Sequence, residues 1–224
     1  MSDVRERLTR LIELASENAP EKQAALAFEL CDLLVDWPPR YPQIMREPFE
    51  ALLEKVLRRL DETTRRLIAT RLSQNSETAV ALLNECYLDV PAKARSMILE
   101  RNQTPGDDEP SRVDLEAEAR LIAAARQMGP IEFTHQFAEF FGVSPMMAQS
   151  ILEDVSGDAL AVACKGIGMR RVTYSTLVVF AAGRTGAGAD AIYDRLAVFD
   201  AIPETGARRM LGHWRKEAAA SRAA

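Results

Sequence analysis

The chain is poor in the residues that usually carry chemistry. It has 224 residues but only two histidines and three cysteines. Cys31, Cys86 and Cys164 lie far apart, no C-x-x-C occurs, and a His-rich metal site is excluded. Aromatic residues make up 6%. The longest apolar run, Leu177 to Ala182, is far too short to cross a bilayer, and MSDVRERLTRL lacks the apolar core of a secretory signal. These gaps lead to the expectation of a cytoplasmic protein with reduced thiols and no membrane partner.

What is present is an ordinary globular mixture, 47% hydrophobic and 27% charged, with net charge −5. The charge is unevenly spread. Residues 1–104 carry 15 basic and 17 acidic side chains, residues 105–158 carry 3 and 11, and residues 159–224 carry 10 and 5. From Ala159 to Ala189 there is no acid at all. A basic tract is either a solvated face or a docking face for an acidic partner or a phosphate backbone.

Apolar residues recur at helical spacing nearly throughout. Leu8, Leu11, Ile12 and Ala15 form one stripe, and Leu26, Leu30, Leu33 and Leu34 form another. Trp37-Pro38-Pro39-Arg40-Tyr41-Pro42 then breaks the helix, as a rigid loop or an extended segment for an aromatic groove. Pro48 opens a further helix toward Leu60. Asp61 and Asp89, 28 positions apart, each precede a helix that a carboxylate can cap. The β-branched stretch Val172–Phe180 reads as a buried helix.

Three units repeat in the C-terminal half: Phe137–Pro145, Ala163–Arg171 and Leu196–Glu204. Each sets a small residue four positions before a glycine or alanine, which suits close helix crossing and a left-handed turn. The expected fold is all-α, an α-solenoid of stacked helical hairpins with HEAT-like repeats, in two halves. The expected organisation is an array over 1–101, a linker over 102–111, a second array over 112–216 and a frayed tail over 217–224.

Gly157–Lys165, Tyr174–Leu177, Ile192–Asp194, Ala207–Arg215 and the stretch Pro48–Leu72 resemble a bacterial family called domain of unknown function 2336. The resemblance runs from about residue 40 to 216. It implies an all-helical, HEAT-like architecture in bacteria, especially alphaproteobacteria, and brings no activity, cofactor or catalytic residue.

No chemical site emerges from the residues. Glu132-x-x-His135 is half of a carboxylate-bridged di-iron pattern, and His213 has Arg209 where its glutamate should stand. Gly183–Gly188 lacks the ending of a phosphate loop. The expectations are therefore no catalytic residue, no metal and no cofactor, in a protein–protein interaction scaffold or adaptor. Its docking face for an acidic partner is drawn from Lys165, Arg170, Arg171, Arg184, Arg208, Arg209 and Arg215. The alternative is a nucleic-acid-binding regulator using the helix-turn-helix-like unit around 163–180, although Thr173, Ser175 and Thr176 are weak base readers. Self-association through an exposed end of the array is a further expectation.

Overall fold

A computed structural model describes the backbone of residues 2–39, 41–103, 113–185 and 188–223. Side chains are described within those ranges except at 2–8, 182–185 and 221–223. The described residues contain thirteen α-helices and no strand. None of the described helices is long and apolar enough to cross a membrane. The chain divides into two compact units, Met1–Ala94 and Arg95–Ala224.

The first unit holds α1 (Ser2–Ser16), α2 (Pro20–Val35), α3 (Arg46–Leu57), α4 (Glu62–Ser73) and α5 (Val80–Glu85). Helix α2 is its centre and packs against α1, α3 and α4. Pro20 starts it where a missing N–H costs nothing, and Leu26, Leu30, Leu33 and Leu34 are at most 1% exposed. The proline-rich break after α2 is a loop anchored by its tryptophan. Trp37 packs against Phe49 with ring centroids 6.0 Å apart, and the Arg46 guanidinium lies 5.8 Å over its ring. Arg46 also pairs with Glu50 at 2.9 Å and donates to the carbonyls of Leu34 and Glu77 at 3.1 Å. Arg40 in this loop lies outside the described residues. Asp61 caps α4 as expected, accepting from the Thr64 N–H at 3.0 Å. Asp89 is buried and pairs with Arg65 at 2.8 Å.

Helix α6 (Ala92–Arg101) contains the boundary. The division therefore falls before the 102–111 segment, because Arg95 and Leu99 pack with the C-terminal half. Residues 104–111 of the expected linker lie outside the described residues.

The second unit continues with α7 (Leu115–Gln127), α8 (Pro130–Phe141), α9 (Pro145–Glu153), α10 (Asp158–Gly166), α11 (Arg171–Thr185), α12 (Ala189–Ala201) and α13 (Glu204–Ala223). Helix α10 has no solvent face over its middle: Ala159 to Cys164 are all at most 2% exposed. A helix that is apolar all round must be enclosed, and α10 is packed by α9, α11, α12 and α13. Its small residues permit the closest approach. A Cβ on Gly166 would stand 2.6 Å from the Ala207 carbonyl oxygen of α13.

Two turns repeat the same left-handed stop. Gly142 (φ 71°) ends α8, with Val143 N–H donating to the Ala138 carbonyl at 3.0 Å. Gly168 (φ 79°) follows α10, with Met169 N–H donating to the Cys164 carbonyl at 2.9 Å. Ala138 and Cys164 are the small residues that the repeated pattern marks four positions earlier, so the spacing encodes a helix stop. The 172–180 stretch is helical as expected, but buried on one side only. Residues 217–223, expected to fray, continue α13, and Ala218 is 2% exposed.

Gly166→Ala is expected to destabilise the second unit by about 1–3 kcal/mol, since backbone must move to admit the methyl. Gly212→Ala, in α13 with nothing within 4 Å of the added carbon, is expected to stabilise it by about 0.5–1 kcal/mol. Urea unfolding followed by circular dichroism checks both signs.

Candidate interaction face of the C-terminal unit

The basic tract is bound largely to its own unit. Lys165, at the end of α10, donates to the Phe199 carbonyl at 2.7 Å, and its ammonium lies 5.0 Å from the Phe199 ring. Arg215 donates to the Phe141 carbonyl at 2.8 Å, close to the Gly142 turn. Arg208 pairs one turn back along α13 with Glu204 at 2.6 Å. Arg209 is half-buried on the same helix. The Arg184 side chain lies outside the described residues.

Arg170 and Arg171 differ from these. They open α11, and their side chains remain 53% and 55% exposed. Arg171 grips Asp200 of α12 through two bonds of 2.8 Å. That hydrogen-bonded pairing holds the Asp200 carboxyl below the usual carboxylate range and raises the Arg171 guanidinium. Arg170 turns inward to Glu118 of α7, whose side chain is 1% exposed. Glu118 accepts from the Arg170 N–H at 3.0 Å, from Arg170 Nε at 2.8 Å and from the Thr173 hydroxyl. Burial pushes the Glu118 carboxyl up, but the three donors outweigh it and leave the pKa below its ordinary value.

Around Gly168 the chain does run helix, left-handed turn, helix, but the second helix has little with which to read a base. Thr173 is 1% exposed and held by Glu118. Ser175 and Thr176 donate back to the Arg171 and Val172 carbonyls at 2.8 and 3.0 Å.

Other cations clamp the turn that launches α10. Arg95 Nη1 donates to both carboxylate oxygens of Asp154, at 3.0 and 2.9 Å, and to the Ser156 hydroxyl at 2.9 Å. Asp154 also accepts from the Ala159 N–H at 3.0 Å, capping the buried helix. From the opposite flank, Arg195 of α12 donates to the Val155 carbonyl at 3.3 and 3.0 Å. Its stem packs where a side chain on Gly157 (φ 79°) would stand. Burial beside Asp154 raises the Asp158 carboxyl.

The sequence reading missed Glu118, Arg95 and Arg195. Glu118 did leave a signal, for it occupies the Leu121–Ala125 stripe of α7, where an apolar residue belongs. It also missed the exposed side chains between the clamps: Val172 (65%), Val179 (53%) and Tyr193 (71%).

His135 is exposed and Trp214 is 2% exposed. Cys31, Cys86 and Cys164 are free and buried, and burial pushes the Cys31 thiol up to about 12. Thiols held protonated in this way are poor nucleophiles.

Glu118→Gln is expected to cost about 1–3 kcal/mol near neutral pH, because the Thr173 hydroxyl and the Arg170 donors lose a buried charged acceptor. A depressed folded-state pKa stabilises the fold above the ordinary carboxylate range, and the contribution is lost as pH falls through the depressed value. The gap between wild type and variant in urea midpoint should therefore close in acid. A gap that is independent of pH would contradict the assignment.

No curated protein and no solved structure matches the chain. One family model does, over residues 45–212, which takes in α3 to α12 whole and nearly the first half of α13. The chain belongs to the bacterial family described as an uncharacterised protein conserved in bacteria, domain of unknown function 2336.

Proposed function

We propose that the chain is a non-enzymatic, regulatory protein-interaction scaffold whose C-terminal unit docks an acidic, partly apolar helical segment along the outer face of α11. The division of that helix into two faces carries the reading. Tyr174, Leu177, Val178 and Ala181 are at most 5% exposed, whereas Val172 and Val179 are 65% and 53% exposed. Seven positions are two helical turns, so the two valines stand on one stripe. Arg170 and Arg171 head that stripe.

The two arginines play different parts. Arg170 is a fixed post, held by a buried carboxylate. Arg171 is paired with Asp200 in water, where such a bridge contributes little and exchanges readily for a partner's carboxylate. Lys165, Arg208 and Arg215 serve the fold through their own bonds and are left out of the docking contact.

HEAT-like stacking of hairpins and a cytoplasmic setting belong to the same proposal. The stacking draws support from the packing of chain-adjacent helices, α7 on α8, α8 on α9, α9 on α10 and α11 on α12. The contact of α13 with α10 closes this series back on itself. Three free thiols suit a reducing compartment.

A photo-crosslinking residue placed at Val172 or Val179 in bacterial cells tests the reading, with the exposed Ile131 as control. The expected result is a discrete protein adduct from both α11 positions and not from the control. An adduct sensitive to nuclease would favour the nucleic-acid regulator, and no adduct specific to α11 would overturn the docking face.

A further inference from the structure

Resting on the docking reading above, we infer that Asp200 is an internal competitor at that face. It occupies the edge of Arg171 that an acidic partner needs, so the face is half closed in the free protein and a partner opens it by exchange.

The two arginines that head the α11 stripe are held by acids of opposite kind. The Glu118 side chain is 1% exposed and accepts from the Arg170 N–H, from Arg170 Nε and from the Thr173 hydroxyl. A carboxylate buried in this way cannot leave without stranding its donors, so Arg170 is fixed. It uses only Nε of its guanidinium, and neither Nη forms a hydrogen bond among the described residues.

Asp200 stands in water on the last turn of α12, with its side chain 54% exposed. It meets Arg171 side-on: Nε donates to Oδ1 and Nη2 to Oδ2, both at 2.8 Å. That two-bond edge is the one by which a guanidinium grips a carboxylate best. A partner's acid therefore finds the preferred edge of Arg171 filled by a group of its own chemistry.

The exchange is nearly balanced and leaves the fold intact. Exposed pairs hold weakly, because water and side-chain entropy offset most of the attraction. Once displaced, the Asp200 carboxylate returns to water with the Lys165 ammonium still near it, Nζ standing 3.5 Å from the Asp200 carbonyl oxygen. Helices α11 and α12 stay joined beneath the bridge. Tyr174 stacks on Phe199 with centroids 4.4 Å apart, and its hydroxyl donates to the Arg195 carbonyl at 2.7 Å.

Selectivity follows from the competition. An acid alone gains little from Arg171, since Asp200 already makes the same two bonds. A segment that also covers the exposed Val172 and Val179 gains apolar contact that Asp200 does not supply.

A comparison of the two ends of the bridge tests the inference, because both single changes weaken the same pair. A photo-crosslinking residue at Val179, two turns beyond Arg171, is placed in wild type, Asp200→Asn, Arg171→Gln and the double variant in bacterial cells. Adduct yield is read after a short exposure, with Ile131 again as control. Asp200→Asn is expected to raise the α11 adduct about two- to fivefold, the range that loss of an exposed bridge allows. Arg171→Gln is expected to lower it, and the double variant should behave as Arg171→Gln does. Circular dichroism of the purified variants should show the same helical signal in all four.

An α11 adduct that Asp200→Asn leaves unchanged or lowers overturns the competition and leaves the docking face standing. Changes of the same sign from both ends also overturn it, for they mark a bridge that only holds the fold. No α11 adduct in any variant removes the docking face, and the competition with it.

Discussion

The second unit depends on one constraint: a nine-residue helix, α10, with hardly any solvent face. Helices this short are marginal alone, so α10 exists because its neighbours enclose it. Enclosure demands small residues where helices cross, which is why three alanines, a cysteine and a glycine lie along it. It also demands that both ends be stopped and capped by groups that come from elsewhere. Asp154 caps its start, Gly168 turns the chain after its end, and Gly166 lets α13 lie directly against it.

The cations follow from the same constraint. A buried helix leaves backbone carbonyls at its termini and turns that water cannot reach freely, and long basic side chains supply the missing donors. Arg195 does this for Val155, Lys165 for Phe199 and Arg215 for Phe141. Such residues give a sequence a basic tract without giving the protein an equally basic surface. Among the described side chains of that tract, only Arg170 and Arg171 head an exposed stripe with apolar side chains. The proposed interaction face is therefore narrower than the charge pattern alone suggests, and it mixes charge with valine.

The legible part of the fold was what periodicity and turn chemistry carry locally. The helix before Trp37, the Asp61 cap and the Gly142 and Gly168 turns are each set by residues within a few positions of one another. Contacts between distant residues were not legible. Glu118 meets Arg170 and Thr173 only after the helices have packed, and Arg95 meets Asp154 across a similar span. The unit boundary shifted for this reason, since the second half of α6 takes its partners from the C-terminal helices. The exposure of Val172 and Val179 was hidden because a β-branched run looks buried on every side, and which side faces water depends on where α7, α9 and α12 come to rest.

Native-state hydrogen exchange on the full chain tests the central claim most directly. If α10 is the enclosed element on which the second unit depends, its amides from Ala161 to Gly166 should exchange only through unfolding of the whole unit. They should then be the slowest of that unit, with the outer helix α12 faster by local opening. Amides of α10 that exchange as readily as those of α12 would contradict the account, for the helix would then open without its surroundings.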